Sequence, residues 1–329
     1  MRAAWYTQNG SAQDTLLLGE VQIPSAGVGE VLVKLKTSGV NPSDVKNRKS
    51  RALIAPSIIP HSDGAGVIEQ VGPGVDEARI GERVWIWNGQ FGRAHGTACE
   101  YIALNASQAV RMPDGLDFAS AACLGIPGLT AFEAVRLCGD LKDRWVLVTG
   151  AGSAVGYYAS QMAMLFGAKV IGTVGSKARA TLAQNAGVKH LIDYKTESVE
   201  ERILSITQGQ GVSHVIDMDF SSTKDLLATQ AIAHHAQIVC YGSNQVDFSM
   251  TFRTLLVKSI ELKFFLVYDL TDNIRQYDVS GLNQLIQEGK IQHSVGKIFS
   301  LDEIVQAHEA VESGRWAGNV VIEIEAIKQ

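Results

Sequence analysis

Cysteine is scarce in this chain, with 4 among 329 residues, at positions 99, 123, 138 and 240. None is spaced as CxxC, which excludes a structural zinc knuckle and leaves reduced, buried thiols as the expectation. Long apolar runs are missing too: none approaches the roughly 18 residues of a membrane span. The opening MRAAWYTQNG has no apolar core of a signal peptide. A cytoplasmic protein with no membrane partner is therefore expected. There is no strongly basic stretch and the net charge is −5, so nucleic acid is not an expected partner. No internal repeat or low-complexity tract is found.

What remains is a globular composition, 46% hydrophobic and 19% charged, in a chain long enough that two domains are expected rather than one. Its centre is residues 144–179, RWVLVTGAGSAVGYYASQMAMLFGAKVIGTVGSKAR. Val146, Leu147 and Val148 form a short buried strand running into glycines at 150, 152 and 156. Apolar residues then recur at helical spacing up to Gly167, and KVIGTV reads as a second strand. This is one βαβ unit. Small residues in its first turn let backbone N–H groups approach a pyrophosphate, and the helix N-terminus adds partial positive charge. The fingerprint is imperfect, because its middle glycine falls at Ser153.

A further absence bears on the cofactor. From Lys169 to Ala186 there is no acidic residue, whereas an NAD site wants Asp or Glu at the end of the second strand for the ribose hydroxyl. Ser176, Lys177 and Arg179 stand there instead, a hydroxyl and two cations suited to a 2′-phosphate. NADPH is favoured over NADH, although Lys and Arg on a surface turn also serve as plain solvated charges.

Residues 1–113 are β-rich. LLLGEVQIP, GEVLVKLKTSGV, GAGVIEQVG and ERVWIW are short runs separated by Gly, Pro and Asn, the spacing of a small barrel or sandwich. Asn41, Pro42, Ser43 and Asp44 read as a helix start. FASAACLGIPGLTAFEAVRLCG holds two helical patterns broken at 125–128, after which Thr130 is either a cap or a cofactor contact. Beyond the central unit, strands HLIDY, HVIDMDF and QIVCYGS alternate with helices through EERILSITQG and DLLATQAIAHH, predicting a doubly wound parallel sheet. Ligands of such sheets lie at the carboxyl ends of strands, which brings 217–220 and 241–243 to a cofactor site. ELKFFLVYDL and VVIEIEAI read as strands, LNQLIQEG and LDEIVQAHEAVESG as amphipathic helices.

Taken together, SGVNPSDVKNR, GAGVIEQVG, LGIPGLTAFEAV, VLVTGAGSAVG, VCYGS and FSLDEIVQAHEAVESGRWAGNVVIEI resemble the medium-chain dehydrogenase/reductase superfamily. Within it the chain resembles the zinc-independent, zeta-crystallin-like quinone oxidoreductases, over its whole length. The resemblance implies an α/β fold: a GroES-like β-rich catalytic domain, residues 1–122 and 263–329, and a Rossmann domain, 123–262, inserted into it. It implies NADPH as cofactor between the two, a quinone or related electron-poor carbonyl compound as substrate, and a homodimer or homotetramer. By position, Asn41 and Thr130 would lie near the nicotinamide, and Gly150, Ser153, Ala154, Val155 and Gly156 at the pyrophosphate. Ser176, Lys177, Arg179 and Tyr194 would surround the 2′-phosphate. Tyr241, Gly242 and Ser243, then Phe265, Leu266 and Val267, with Asn319, would cover the rest. No metal is implied: zinc-dependent relatives carry Gly-His-Glu where this chain has His61, Ser62 and Asp63, and the four-cysteine lobe is missing. Two departures bear on the substrate. Lys46 stands where relatives often carry tyrosine, and Asn319 replaces a closing lysine.

Hydride transfer needs the acceptor held against the nicotinamide and a donor or cation for the charge developing on oxygen. Asn41 and Lys46 are the candidates, with Tyr268 behind them; each also has a plain structural reading, as cap, surface charge and core. Passage of single electrons rather than hydride stays open. A short-chain dehydrogenase is excluded, since no tyrosine is followed by lysine four residues on. An NADPH-dependent enone or alkenal reductase on the same fold, and a non-enzymatic NADPH-binding sensor or crystallin-like protein, remain as alternatives.

Overall fold

The computed structural model describes residues 1–324 and divides into two compact units, residues 1–126 with 293 onward, and residues 127–292. Unit 1 opens with strand β1 (Arg2–Trp5), helix α1 (Ala12–Thr15) and β2 (Leu17–Glu20), β1 and β2 pairing antiparallel. Then come β3 (Glu30–Val40), α2 (Pro42–Ser50), β4 (Asp63–Val71), β5 (Arg83–Ile86), β6 (Tyr101–Asn105), β7 (Ala109–Arg111) and α3 (Phe118–Ala121). The alternation in GEVLVKLKTSGV produces the long β3, which pairs with β4 on one side and β6 on the other. Val31, Val33 and Leu35 of β3 are fully buried.

Unit 2 follows: α4 (Leu129–Cys138), β8 (Trp145–Val148), α5 (Ala154–Leu165), β9 (Lys169–Val174), α6 (Lys177–Asn185), β10 (His190–Asp193), α7 (Val199–Ile206) and β11 (Val212–Asp217). It continues through α8 (Phe220–Thr223), β12 (Ile232–Cys240), α9 (Phe252–Lys258), β13 (Glu261–Phe264) and α10 (Asp272–Gln287). Its sheet is parallel throughout, in the order β10-β9-β8-β11-β12-β13, the doubly wound arrangement. The chain returns to unit 1 with β14 (Val295–Ser300), α11 (Ile304–Ser313) and β15 (Asn319–Glu323), which give the seven-stranded sheet its order β14-β15-β3-β4-β5-β7, β6 lying off it on β3. The last three residues of VVIEIEAI, 325–327, lie outside the described residues. All four cysteines are buried and unpaired. Among the described residues no helix is long and apolar enough to cross a membrane.

Three local readings change. The helix expected through DLLATQAIAHH is replaced by the short turns of α8 and residues 224–228, and β12 already begins at Ile232. Ile232, Ala236, Ile238 and Cys240 are buried in the sheet core, and the register on β11 slips around His235, whose φ is +59°. Burial against β11 overrides the helical spacing, with the two histidines absorbed in a bulge. Thr130 is not a cap: the α4 N-cap is Gly128 and Thr130 is buried one residue into the helix. Residues 263–292, grouped by resemblance with the N-terminal part, pack within unit 2. There β13 pairs with β12, Lys263 Nζ donates to Leu137 O at 2.9 Å, and Gln292 exchanges hydrogen bonds of 2.8 and 3.1 Å with Gln161.

Helix α10 leans on α4 through Gly281, where a Cβ would collide with the Phe132 ring. Alanine is the better helix former by about 1 kcal/mol, yet this contact leaves it no room. Gly281→Ala should therefore lower stability by about 1–3 kcal/mol in urea unfolding; a gain would mean that α10 does not pack on α4 as described.

Candidate functional site

Strand β8 is apolar and three of its four residues are fully buried, so its carboxyl end must turn sharply to release the chain into α5. Gly150 takes φ +64°, and a Cβ there would strike the Met218 sulfur. At Gly152 it would strike the Arg179 carbonyl oxygen, and at Gly156 the Gly150 carbonyl oxygen. Glycine is thus required for close backbone approach at 152 and 156, and for handedness at 150. The turn is pinned to β9: Gly150 N donates to Thr173 Oγ1 and Ala151 N to Thr173 O, both at 2.9 Å. Ser153 caps α5, its Oγ accepting from Gly156 N at 3.1 Å. The remaining first-turn N–H groups and the helix dipole then face the carboxyl end of the sheet.

A cavity of about 600 Å³ opens there within unit 2. Gly150, Gly152 and Ser153 form one side, Gly175, Arg179 and Tyr194 another, Met218, Asp219 and Asn244 a third. The Tyr194 hydroxyl lies over Gly175, 2.5 Å from where a Cβ would stand. Arg179 reaches back to Gly152 O at 3.2 Å. Among the described lining residues Arg179 is the one cation and Asp219 the one acid. Burial works to raise the Asp219 carboxyl, but hydrogen bonds from Ser221 and Asn244 outweigh it and hold the group below the usual range, hence ionised. That carboxylate ties the β11 and β12 loops together through Asn244 N (2.8 Å) and Nδ2 (2.7 Å). Neighbouring Asp217 is pushed up by burial, against hydrogen bonds from Thr223, Asp219 N and Thr149.

The residues named in advance distribute unevenly. Gly150, Ser153, Arg179 and Tyr194 meet in the cavity wall; Ala154, Val155 and Gly156 form the first turn of α5 beside it. Ser176 caps α6 and Lys177 is exposed, neither lining the cavity. Tyr241, Gly242 and Ser243 make the loop that delivers Asn244, while Thr130, Phe265, Leu266 and Val267 stand off the wall. Thr149, Thr173 and Asn244 line it without having been named. Thr149 Oγ1 bonds Asp217 Oδ1 at 2.9 Å across 68 residues of sequence, a pairing no local pattern announces.

The others lie in unit 1. Asn319 is buried, its Nδ2 donating to Ser294 O at 2.9 Å. Lys46 is exposed on α2. Asn41 is buried as the N-cap of α2, between two acids: its N donates to Asp44 Oδ2 at 2.8 Å and its Nδ2 to Asp63 Oδ2 at 2.9 Å. Burial pushes the Asp44 carboxyl up to about 7, and raises that of Asp63. His61, fully buried, is pushed down to about 3 by desolvation. Its Nδ1 meets Ser38 Oγ at 2.9 Å and its Nε2 meets His308 Nε2 at 2.9 Å. Among the described residues no three His, Cys, Asp or Glu side chains are grouped to hold a metal ion.

Comparison with known proteins agrees in extent and in family. Residues 27–114 match the alcohol dehydrogenase GroES-like domain and residues 154–288 the zinc-binding dehydrogenase domain. A quinone oxidoreductase of Pseudomonas aeruginosa is 30% identical over 314 residues, which cover 92% of this chain and 94% of that protein. Among solved structures, an NAD-dependent alcohol dehydrogenase superposes with TM-score 0.88 at 27% identity, covering 99% of this chain and 100% of its own. A mycobacterial protein complexed with NADPH superposes with TM-score 0.87 at 26% identity, covering 98% and 100%.

Asp44 makes a test of the buried acids. Its folded pKa lies above the unfolded value of 3.8, so its contribution is complete below 3.8 and is lost as pH rises toward about 7. Asp44→Asn removes that loss. Relative to the parent, the variant should gain about 1.4 kcal/mol per pH unit over this window, read by urea unfolding at several pH values; parallel pH profiles would contradict a neutral Asp44. Separately, Gly152→Ala should weaken dinucleotide binding at least tenfold by opening the turn, checked by fluorescence titration.

Proposed function

This chain belongs to the quinone oxidoreductases of the medium-chain dehydrogenase/reductase superfamily, and from that membership we propose that it is an NADPH-dependent, zinc-free reductase that passes hydride to a quinone. The observation that carries the cofactor choice is the cavity wall beyond β9. Arg179 and Tyr194 stand there, and no acid follows the strand before residue 187. A guanidinium with a phenol suits a 2′-phosphate, whereas an NAD site would place a carboxylate there. The mycobacterial neighbour's NADPH supports the same reading; the neighbour named as NAD-dependent makes it a matter for experiment.

The residues fit a dinucleotide. Gly150 and Gly152 line the cavity with backbone alone, beside Ser153, and α5 directs its N-terminus at it. When bound, the nicotinamide supplies the hydride. The chain's part is to hold the phosphates on the glycine turn and the 2′-phosphate on Arg179 and Tyr194. Asn41 and Lys46 are our candidates for orienting the acceptor and answering the charge that develops on its oxygen. What supports a zinc-free site is the use already made of its would-be ligands: His61 spends both ring nitrogens on Ser38 and His308, and Asp63 accepts from Asn41 and Ile126. We further propose a homodimer. β13 is an edge strand, and Phe264 and Leu266 at its end are more than half exposed, as are Phe252, Leu256 and Val257 of α9.

NADPH oxidation followed by absorbance should be rapid with 1,4-benzoquinone and 9,10-phenanthrenequinone, and slow with NADH. Arg179→Ala should weaken NADPH binding about 10–100-fold and abolish the preference, while Lys177→Ala, outside the cavity, shifts it less than threefold. Turnover on a small enal alone would make the protein an enone reductase, and NADPH binding without turnover a sensor. Light scattering should give twice the monomer mass.

A further inference from the structure

Behind Asn41 lies a set of buried polar groups that the dinucleotide cavity does not use. Asp63, at the start of β4, is fully buried. Its Oδ2 accepts two hydrogen bonds, from Asn41 Nδ2 at 2.9 Å and Ile126 N at 3.1 Å, and its Oδ1 has no partner among the described residues. Asp44 is the other acid on Asn41, bound to its backbone N. A carboxyl that accepts at one oxygen and pairs with no cation among the described residues is suited to the neutral acid form, with Oδ2 as the carbonyl oxygen. Desolvation and the nearby Asp44 both raise its pKa, in the same direction.

The Asp63 backbone is held from the opposite side by a chain of hydrogen bonds whose direction is fixed at both ends. Thr97 Oγ1 donates to Asp63 O at 2.5 Å, so it must accept from Ser38 Oγ at 2.7 Å. Ser38, its proton spent, accepts from His61 Nδ1 at 2.9 Å. At the far end Arg48, which only donates, gives Nε–H to His308 Nδ1 at 3.4 Å. His308 therefore carries its proton on Nε2 and donates it to His61 Nε2 at 2.9 Å. The two ends agree with both histidines neutral, and an added proton would set N–H against N–H. Arg48 itself is anchored by Gly10 O and the Glu312 carboxylate. His61 is held at φ +77°, a left-handed conformation that persists only where its surroundings over-determine it.

We propose that Asp63 is a positioning residue for the reaction read above, fixing the side-chain amide of Asn41 in one orientation while the Arg48–His308–His61–Ser38–Thr97 chain fixes Asp63. The proposal rests on that reading for its catalytic consequence only. Turning the amide over would set Asn41 Oδ1 against Asp63 Oδ2, acceptor against acceptor, and leave a buried group unsatisfied. The donors of Asn41 are thereby kept inward. The face it offers to a ligand is decided by Asp63 rather than by its own rotamer preference.

The test uses the full chain labelled with 15N-asparagine, as the parent, Asp63→Leu, and the exchange Asn41→Asp with Asp63→Asn. Asp63→Leu keeps the bulk of the side chain but offers no acceptor to Asn41 Nδ2, and should speed hydrogen exchange of the Asn41 side-chain NH2 at least tenfold. It should also lower kcat with 1,4-benzoquinone at least tenfold, with KM for NADPH changed less than threefold. The exchange variant re-forms an amide–carboxyl pair of reversed polarity, so it should recover Tm without recovering kcat. Recovery of kcat together with Tm would reduce Asp63 to a structural role, and unchanged Asn41 exchange in Asp63→Leu would overturn the proposal outright. If the parent oxidises no NADPH with any quinone, the functional reading fails by itself, and the exchange rates still decide whether Asp63 sets Asn41.

Discussion

Everything in unit 2 depends on how closely α5 approaches β8. Gly156 sits so near the Gly150 carbonyl that no side-chain atom fits between helix and strand, and α5 is buried over most of its surface. That contact sets the turn at 150–153 and aims the helix N-terminus over the carboxyl ends of the strands. Because β8 is central, with β9 and β11 on either side, the same place receives the loops that bring Arg179, Tyr194 and Asp219. A phosphate-binding cavity at this point follows from packing as much as from chemistry.

Unit 1 rests on a different constraint. Its interior holds Asn41, Asp44, Arg48, His61, Asp63 and His308, each 4% exposed or less, and buried polar groups are tolerated only when bonded or neutral. The solution is mostly a shift toward neutrality: desolvation drives the histidines down and the acids up, favouring the uncharged form of each. The exception is Arg48, which is charged and paired with Glu312. Truncating a bonded member to an apolar residue leaves a neighbour with a donor or acceptor unmatched.

Much of this was legible in advance. The alternation in β3, the apolar run of β8, the glycines after it and the missing acid beyond β9 are local signals, each tied to a short-range physical cause. Where the reading departed from the structure, a distant partner intervened. Ile232–Cys240 is a strand because β11 offers a buried edge. Residues 263–292 join unit 2 because β12 and α4 receive them. Lys177 and Arg179, two residues apart on one helix turn, are alike as charges, but the Gly152 carbonyl draws only Arg179 into the cavity.

By itself the sequence determined the kind of structure: two domains, a doubly wound sheet, a nucleotide turn and its family, since periodicity, glycine placement and charge are properties of neighbouring residues. Only the tertiary structure decided which candidates meet and in what state. Asn41 was visible as a cap and a candidate, but Asp63, 22 residues on, reaches it because β3 and β4 pair and lay Asp63 beside the end of β3. The protonation states of that cluster likewise depend on burial, which belongs to the folded whole and to no segment of the chain.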